Sequence, residues 1–75
     1  MGKLPVLSGK EIIKILQSIG FEQRRQKGSH LILRKLDKTV VVPLHKEVDR
    51  GTLIEIIRQS GLKREEFIEL RSKIH

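Results

Sequence analysis

Hydrophobic residues recur at helical spacing near the start of the chain. Ser8-Gly9-Lys10-Glu11 has the form of a capping box, in which serine and glutamate side chains satisfy backbone N–H groups at a helix start. Gly20 can adopt the left-handed conformation that ends a helix, with Phe21 as the apolar contact behind it. The apolar positions between these signals lie three or four residues apart and predict a first helix over residues 9–19. They are Ile12, Ile13, Leu16 and Ile19, with Ile15 widening the stripe.

Three short segments separated by turn residues follow, as in an antiparallel meander. The first segment is mostly polar and predicts an edge strand, where charged side chains oppose aggregation. The third is β-branched throughout, and Pro43 ends it because proline cannot donate a ladder hydrogen bond. The predicted strands are residues 21–26, 30–34 and 39–42, with turns at Lys27-Gly28 and Leu36-Asp37-Lys38.

Two further helices are predicted after a loop that contains His45. Asp49 can cap the first of them, from about Gly51 to Ser60, and Gly61 can end it. The second, from Arg64 to about Ile74, has glutamates in its first turn, where the helix dipole favours negative charge. This order predicts an α+β fold in which helices cover one face of a three-stranded sheet and leave the other face open.

The size and composition of the chain restrict the possible classes. Its 75 residues predict one small domain over residues 1–75, and the lack of cysteine excludes disulfides and thiolate metal sites. Leu4-Pro5-Val6-Leu7 is too short for the core of a signal peptide, and no run of 18 apolar residues could span a membrane. We therefore expect a cytoplasmic protein with no membrane partner.

Charge gives the first indication of a partner. Sixteen Lys and Arg residues oppose nine Asp and Glu residues, for a net charge of +7. Such a surface attracts nucleic acid, an anionic membrane or an acidic protein, although a solvated charged surface alone explains the composition equally well. Residues 23–38 hold six bases and one acid, Asp37. The bases are Arg24, Arg25, Lys27, Arg34, Lys35 and Lys38.

An ordered set of motifs over roughly residues 5–70 resembles the HicA toxins of HicAB toxin–antitoxin pairs. The matching segments are Ser8-Gly9-Lys10-Glu11, Gly20-Phe21, Arg25-Gln26-Lys27-Gly28-Ser29-His30, Val42-Pro43-Leu44-His45, Gly51-Thr52-Leu53, Ile57-Arg58-Gln59-Ser60-Gly61-Leu62 and Phe67. The resemblance implies a fold like that of a double-stranded-RNA-binding domain. It also implies an endoribonuclease that cleaves messenger RNA and is neutralised by a HicB-like antitoxin. The catalytic histidine of the family's Gly-Ser-His motif corresponds to His30.

His30 suits this chemistry because imidazole titrates near neutral pH and can act as a general acid or base. The RNA-binding residues expected around it are Arg25, Lys27, Gly28, Ser29 and Arg34. We expect no metal and no other cofactor, since the histidines have no ligand spacing such as H-x-x-x-H. With two Phe residues and no Trp or Tyr, base stacking is scarce, so the chain is expected to discriminate weakly between bases.

Several alternatives remain open from the sequence. A second proton-transfer group could be water, Lys27, Ser29 or His45, although a structural or binding role is favoured for His45, and His75 is expected to be silent. The chain could instead be a non-catalytic RNA-binding module of the same fold. A transcriptional regulator that reads DNA through Arg58 and Gln59 of the second helix ranks last.

Overall fold

The computed structural model describes residues 4–74 and confirms the predicted order of elements. Each helix or strand boundary lies within one residue of the predicted position. The elements are α1 (Gly9–Ser18), β1 (Glu22–Lys27), β2 (His30–Lys35), β3 (Lys38–Pro43), α2 (Arg50–Ser60) and α3 (Arg64–Lys73). This is the α+β arrangement of a double-stranded-RNA-binding domain. The prediction for His75 concerns a residue outside the described part of the chain.

The sheet is an antiparallel meander with strand order β1-β2-β3. Two-residue turns connect the strands, Gly28-Ser29 in the first hairpin and Leu36-Asp37 in the second. The first residue of each turn has a positive φ, 59° at Gly28 and 55° at Leu36. Glycine adopts this conformation without steric cost, whereas leucine is strained in it. A bulge interrupts the β1–β2 pairing near Arg24.

Local side-chain bonds fix where the helices begin. Ser8 Oγ accepts from the backbone N–H of Glu11 at 3.1 Å, and Glu11 Oε1 accepts from the backbone N–H of Ser8 at 2.9 Å. Asp49 accepts at the start of α2 from the backbone N–H and the hydroxyl of Thr52, at 3.0 and 2.6 Å. At its other end, Gly61 has φ of 81°, the left-handed cap that the sequence predicted.

The hydrophobic core lies between the helices and one face of the sheet. Its sheet contribution comes from alternate residues of β2 and β3, which is the period expected of half-buried strands. Phe21 was predicted to begin the edge strand, but it lies just before β1 and is buried, only 2% exposed. The buried hydrophobic residues are Leu7, Ile12, Ile13, Ile15, Leu16, Phe21, Leu31, Leu33, Val40, Val42, Val48, Leu53, Ile56, Ile57 and Phe67.

The opposite face of the sheet is open. Along β2, His30 and Arg34 are exposed and Ile32 is half-buried, while Leu31 and Leu33 point into the core. Every residue of β1 is exposed. Within residues 4–74, no helix combines the length and the apolar character needed to cross a bilayer.

Candidate active site on the open sheet face

His30 is the first residue of β2, directly after the Gly28-Ser29 turn. In the sheet it pairs with Lys27 of β1 and with Pro43 of β3. Directly paired residues of antiparallel strands project from the same face. The exposed imidazole therefore lies on the open face with the Lys27 side chain beside it.

Two further predicted RNA-binding residues share this face. Arg25 pairs with Ile32, which lies two residues after His30 on the same face of β2. Arg34, two residues further on, also lies on this face. Arg34 Nε donates to the carbonyl oxygen of Leu36 at 3.1 Å, which holds this guanidinium at the end of the sheet farther from His30. The structure therefore places Arg25, Lys27 and Arg34 on the same face as His30, with Lys27 next to it and Arg34 at the far end.

Three other basic residues of the segment 23–38 do not lie on the open face beside His30. Lys35 and Lys38 pair with each other on the helical side of the sheet. Their stems lie beside Gly20 and Gly61, close to the carboxyl ends of α1 and α2, where a cation complements the helix dipole. Arg24 lies in the β1 bulge and forms an exposed ion pair with Glu22 at 3.6 Å. The basic cluster in the sequence is thus divided between the two faces.

Gly28 and Ser29 shape the turn that precedes His30. Gly28 needs its positive φ rather than extra space, because a Cβ there would meet no atom within 4 Å. Its carbonyl oxygen accepts from Gln26 Nε2 at 3.1 Å. The carbonyl oxygen of Ser29 accepts from the backbone N–H of Leu44 at 2.7 Å, which joins the turn to the segment after β3.

The structure also brings a second imidazole to this corner. The ring centroids of His30 and His45 are 6.5 Å apart, and the ring planes are inclined by 66°. Two backbone bonds hold the loop in place: the bond from Leu44 to Ser29, and one of 2.9 Å from the Gly9 N–H to the His45 carbonyl oxygen. Both histidines are exposed. From the sequence, a structural or binding role was favoured for His45, with proton transfer as an alternative.

The position of His45 follows from the register of the second hairpin. A two-residue turn at Leu36-Asp37 pairs His30 with Pro43, so His45 lies just beyond the residue that faces the start of β2. The sequence offered one signal for this position, because the length of the second turn determines which residue of β3 pairs with His30. The turn was predicted as three residues, Leu36-Asp37-Lys38, whereas it has two. A groove of about 170 Å³ adjoins this histidine, lined by Ser8, Lys10, Leu44, His45 and Lys46.

The two side chains of α2 proposed for reading DNA, Arg58 and Gln59, both have partners within the protein. Arg58 pairs with Glu55, and Arg58 Nε donates to Glu55 Oε1 at 2.9 Å. This hydrogen bond is the main reason that the pKa of Glu55 is lowered and that of Arg58 is raised. Gln59 Oε1 accepts from the backbone N–H of Val41 at 3.4 Å, so this side chain lies at the outer edge of β3. These contacts disfavour the DNA-reading alternative.

Metal ligands are not clustered at this corner. Between residues 4 and 74, no group of three or more His, Asp or Glu side chains is arranged to hold a metal ion. His30 and His45 together supply two nitrogen ligands at most, with cationic side chains around them.

Comparison with known proteins identifies the family. The family model for the HicA toxin of bacterial toxin–antitoxin systems matches residues 9–62. A solved structure described as a toxin–antitoxin complex from Streptococcus pneumoniae contains a chain with 33% sequence identity and a TM-score of 0.66, and the match covers 75% of this chain and 98% of that one. A search of curated proteins found no match. Because the family model spans more than half of the sequence, the chain belongs to the HicA family of bacterial toxin–antitoxin toxins.

Proposed function

We propose that this toxin is a metal-independent endoribonuclease that cleaves cytoplasmic messenger RNA on the open sheet face, with His30 as a general acid or base. The observation that carries the proposal is an exposed imidazole on the same face as Lys27, Arg25 and Arg34. Exposure allows the ring to reach RNA, and the cations attract the phosphate backbone. The structural neighbour, which comes from a toxin–antitoxin complex, supports the role as a toxin.

The reaction that fits these groups is an internal transfer at phosphorus. The 2′-oxygen of one nucleotide bonds to the adjacent phosphorus, and the bond from phosphorus to the 5′-oxygen of the next nucleotide breaks. The 2′-hydroxyl loses a proton and the leaving 5′-oxygen gains one, so the products are a 2′,3′-cyclic phosphate and a free 5′-hydroxyl. His30 transfers one of these protons, a contribution typically worth ~10²–10⁴-fold in rate. Lys27 stabilises negative charge that develops on the phosphoryl oxygens.

Neutralisation by a HicB-like antitoxin is the second part of the proposal. An antitoxin that places carboxylates against Arg25, Lys27 and Arg34 would cover His30 and block access of RNA. Charge complementarity of this kind speeds association and makes it sensitive to salt.

The decisive experiment compares wild type with His30→Ala. Purified wild-type protein is expected to degrade RNA in the presence of EDTA, whereas His30→Ala binds the same RNA and leaves it intact. In cells, expression of wild type is expected to arrest growth and expression of His30→Ala is not. Arg64→Ala, which changes an exposed cation of α3, is the matched control and retains cleavage.

Three results would contradict the proposal. Binding without cleavage by wild type would favour the non-catalytic RNA-binding module. Cleavage that disappears with EDTA would exclude the metal-independent mechanism. Unchanged cleavage by a folded His30→Ala variant would remove His30 from the reaction.

A further inference from the structure

The corner of the open face where β2 begins holds two histidines rather than one. The His30 and His45 ring centroids are 6.5 Å apart with the ring planes inclined by 66°, so both imidazoles lie within reach of one phosphodiester group bound against this corner. Both residues are exposed to solvent. The internal transfer reaction requires two proton-transfer groups on opposite sides of one phosphate, and this arrangement offers them.

We propose that His45 is the second proton-transfer group of the reaction, acting with His30 on a phosphodiester bound against both rings. The inference rests on the proposed ribonuclease function and assigns the group that His30 alone leaves undefined. One neutral imidazole takes the proton of the 2′-hydroxyl as the bond from oxygen to phosphorus forms. The other, as an imidazolium, gives its proton to the leaving 5′-oxygen, so charge and protons balance.

Backbone hydrogen bonds hold the segment that carries His45. Its own carbonyl oxygen accepts from Gly9 N–H, and the preceding residue, Leu44, donates to the Ser29 carbonyl oxygen. Ser29 is also the neighbour of His30, so a single backbone hydrogen bond couples the two segments that carry the rings. Such pre-positioning is what transfer at a bound phosphate requires.

Charge beside His45 continues the basic surface past the sheet. Lys10 and Lys46 line the same groove as His45, and both are exposed. Lys27 lies on the other side of His30. An RNA strand with one phosphate against the two histidines would therefore have cations near the neighbouring phosphates in both directions.

The test uses two substrates and two single variants, His30→Ala and His45→Ala. One substrate is a short RNA with ordinary linkages, and the other has sulfur in place of the bridging 5′-oxygen at one linkage. Sulfur leaves without a proton, so the variant that lacks the general acid is rescued on this substrate. We expect each variant to lose ~10²–10⁴-fold in kcat on the ordinary RNA. One of them, and not both, should regain most of this loss on the sulfur-containing RNA.

The controls separate loss of chemistry from loss of structure. Glu47→Gln changes an exposed residue of the same loop and should cleave both substrates at the wild-type rate. Affinity for an RNA with a 2′-methoxy group at the cleavage site, which cannot react, should change less than fivefold in His45→Ala. A rescued rate cannot arise in a misfolded variant, so rescue by sulfur distinguishes a proton donor from a structural residue.

The possible failures are distinguishable. If wild type does not cleave RNA at all, the proposed function itself is wrong. If wild type cleaves and His30→Ala does not, but His45→Ala cleaves at the wild-type rate, the function stands and the role of His45 is rejected. Loss of activity in both variants with no rescue of either also rejects the assignment of a histidine pair.

Discussion

At the residue scale, Gly9 has more influence on the candidate site than its place at a helix start suggests. A Cβ at this position would overlap the carbonyl oxygen of Pro43, the residue that pairs with His30. The N–H of Gly9 also donates to the carbonyl oxygen of His45. The first turn of α1 is therefore packed directly against the loop that carries the second imidazole.

We predict that Gly9→Ala destabilises the protein, although alanine is the better helix former. The added methyl group meets backbone rather than a flexible side chain, so the loop after β3 must move. Overpacking of this kind costs about 1–3 kcal/mol. Urea unfolding followed by circular dichroism measures the change, and RNA cleavage should fall as well because His45 is displaced.

Gly51→Ala is the matched control in the first turn of α2. A Cβ there would lie 3.4 Å from Asp49 Oδ2, an ordinary contact. Helix propensity then predicts unchanged or higher stability, by up to about 1 kcal/mol. Equal changes in the free energy of unfolding for the two substitutions would contradict the prediction, because they would show that the contact with Pro43 does not destabilise Gly9→Ala.

At the scale of elements, the helices and strands were predictable because several local signals agreed. The capping box, the apolar spacing and Gly20 all placed α1 in the same position. The face of β2 that carries His30 was ambiguous, since Ile32 shares its side, and only coverage by the helices decided it. The approach of His45 to His30 was missed because it depends on the exact register of β2 with β3, which is set by the length of the second turn.

The start of α2 leads to a prediction on pH. Hydrogen bonds from the Thr52 hydroxyl and backbone N–H lower the pKa of Asp49, because they favour its carboxylate form. A carboxyl group with a lowered pKa in the folded state stabilises the fold above its unfolded pKa of about 3.9, and this contribution is lost as pH falls through the folded value. Asp49→Ala should therefore lower Tm at pH 7, and its difference from wild type should narrow below about pH 4.

Thr52→Val provides the comparison for this cap. It removes the hydroxyl bond of 2.6 Å and keeps the backbone bond of 3.0 Å. Its effect on Tm should have the same sign and the same dependence on pH as that of Asp49→Ala, with a smaller size. A Tm difference for Asp49→Ala that stays constant from pH 7 to pH 2 would contradict the assignment of the charged carboxylate as the cap.

At the scale of the whole molecule, the net charge of +7 is less important than its distribution. Arg25, Lys27 and Arg34 lie on the open face, whereas Lys35 and Lys38 lie on the helical side near the ends of α1 and α2. RNA binding should therefore depend on part of the charge only. The composition alone could not show this division.

We predict that Arg25→Ala lowers the affinity for RNA and also makes this affinity less dependent on salt concentration. Each phosphate contact with single-stranded RNA adds about 0.7 to the slope of log K against log salt concentration. Loss of one contact should reduce the slope by about this amount, measured by fluorescence anisotropy with the cleavage-deficient His30→Ala variant as background. Stability should change little, since Arg25 is exposed.

Lys38→Ala is the matched control, because it removes the same charge from the other face. Its salt slope should equal that of the background variant. If Arg25→Ala and Lys38→Ala reduce the slope equally, RNA does not distinguish the two faces, and the open face is not the binding surface.

The bond between Ser29 and Leu44 has a consequence for the time at which the toxin becomes active during its synthesis. His30 is synthesised before His45, and the contacts that bring the two rings together are the pairing of β3 with β2 and the bond from the Gly9 N–H to the His45 carbonyl oxygen. If the two histidines act as proposed, a nascent chain that has emerged only as far as the second turn contains an incomplete pair. The nascent toxin then does not cleave the messenger RNA that encodes it until β3 has paired with β2.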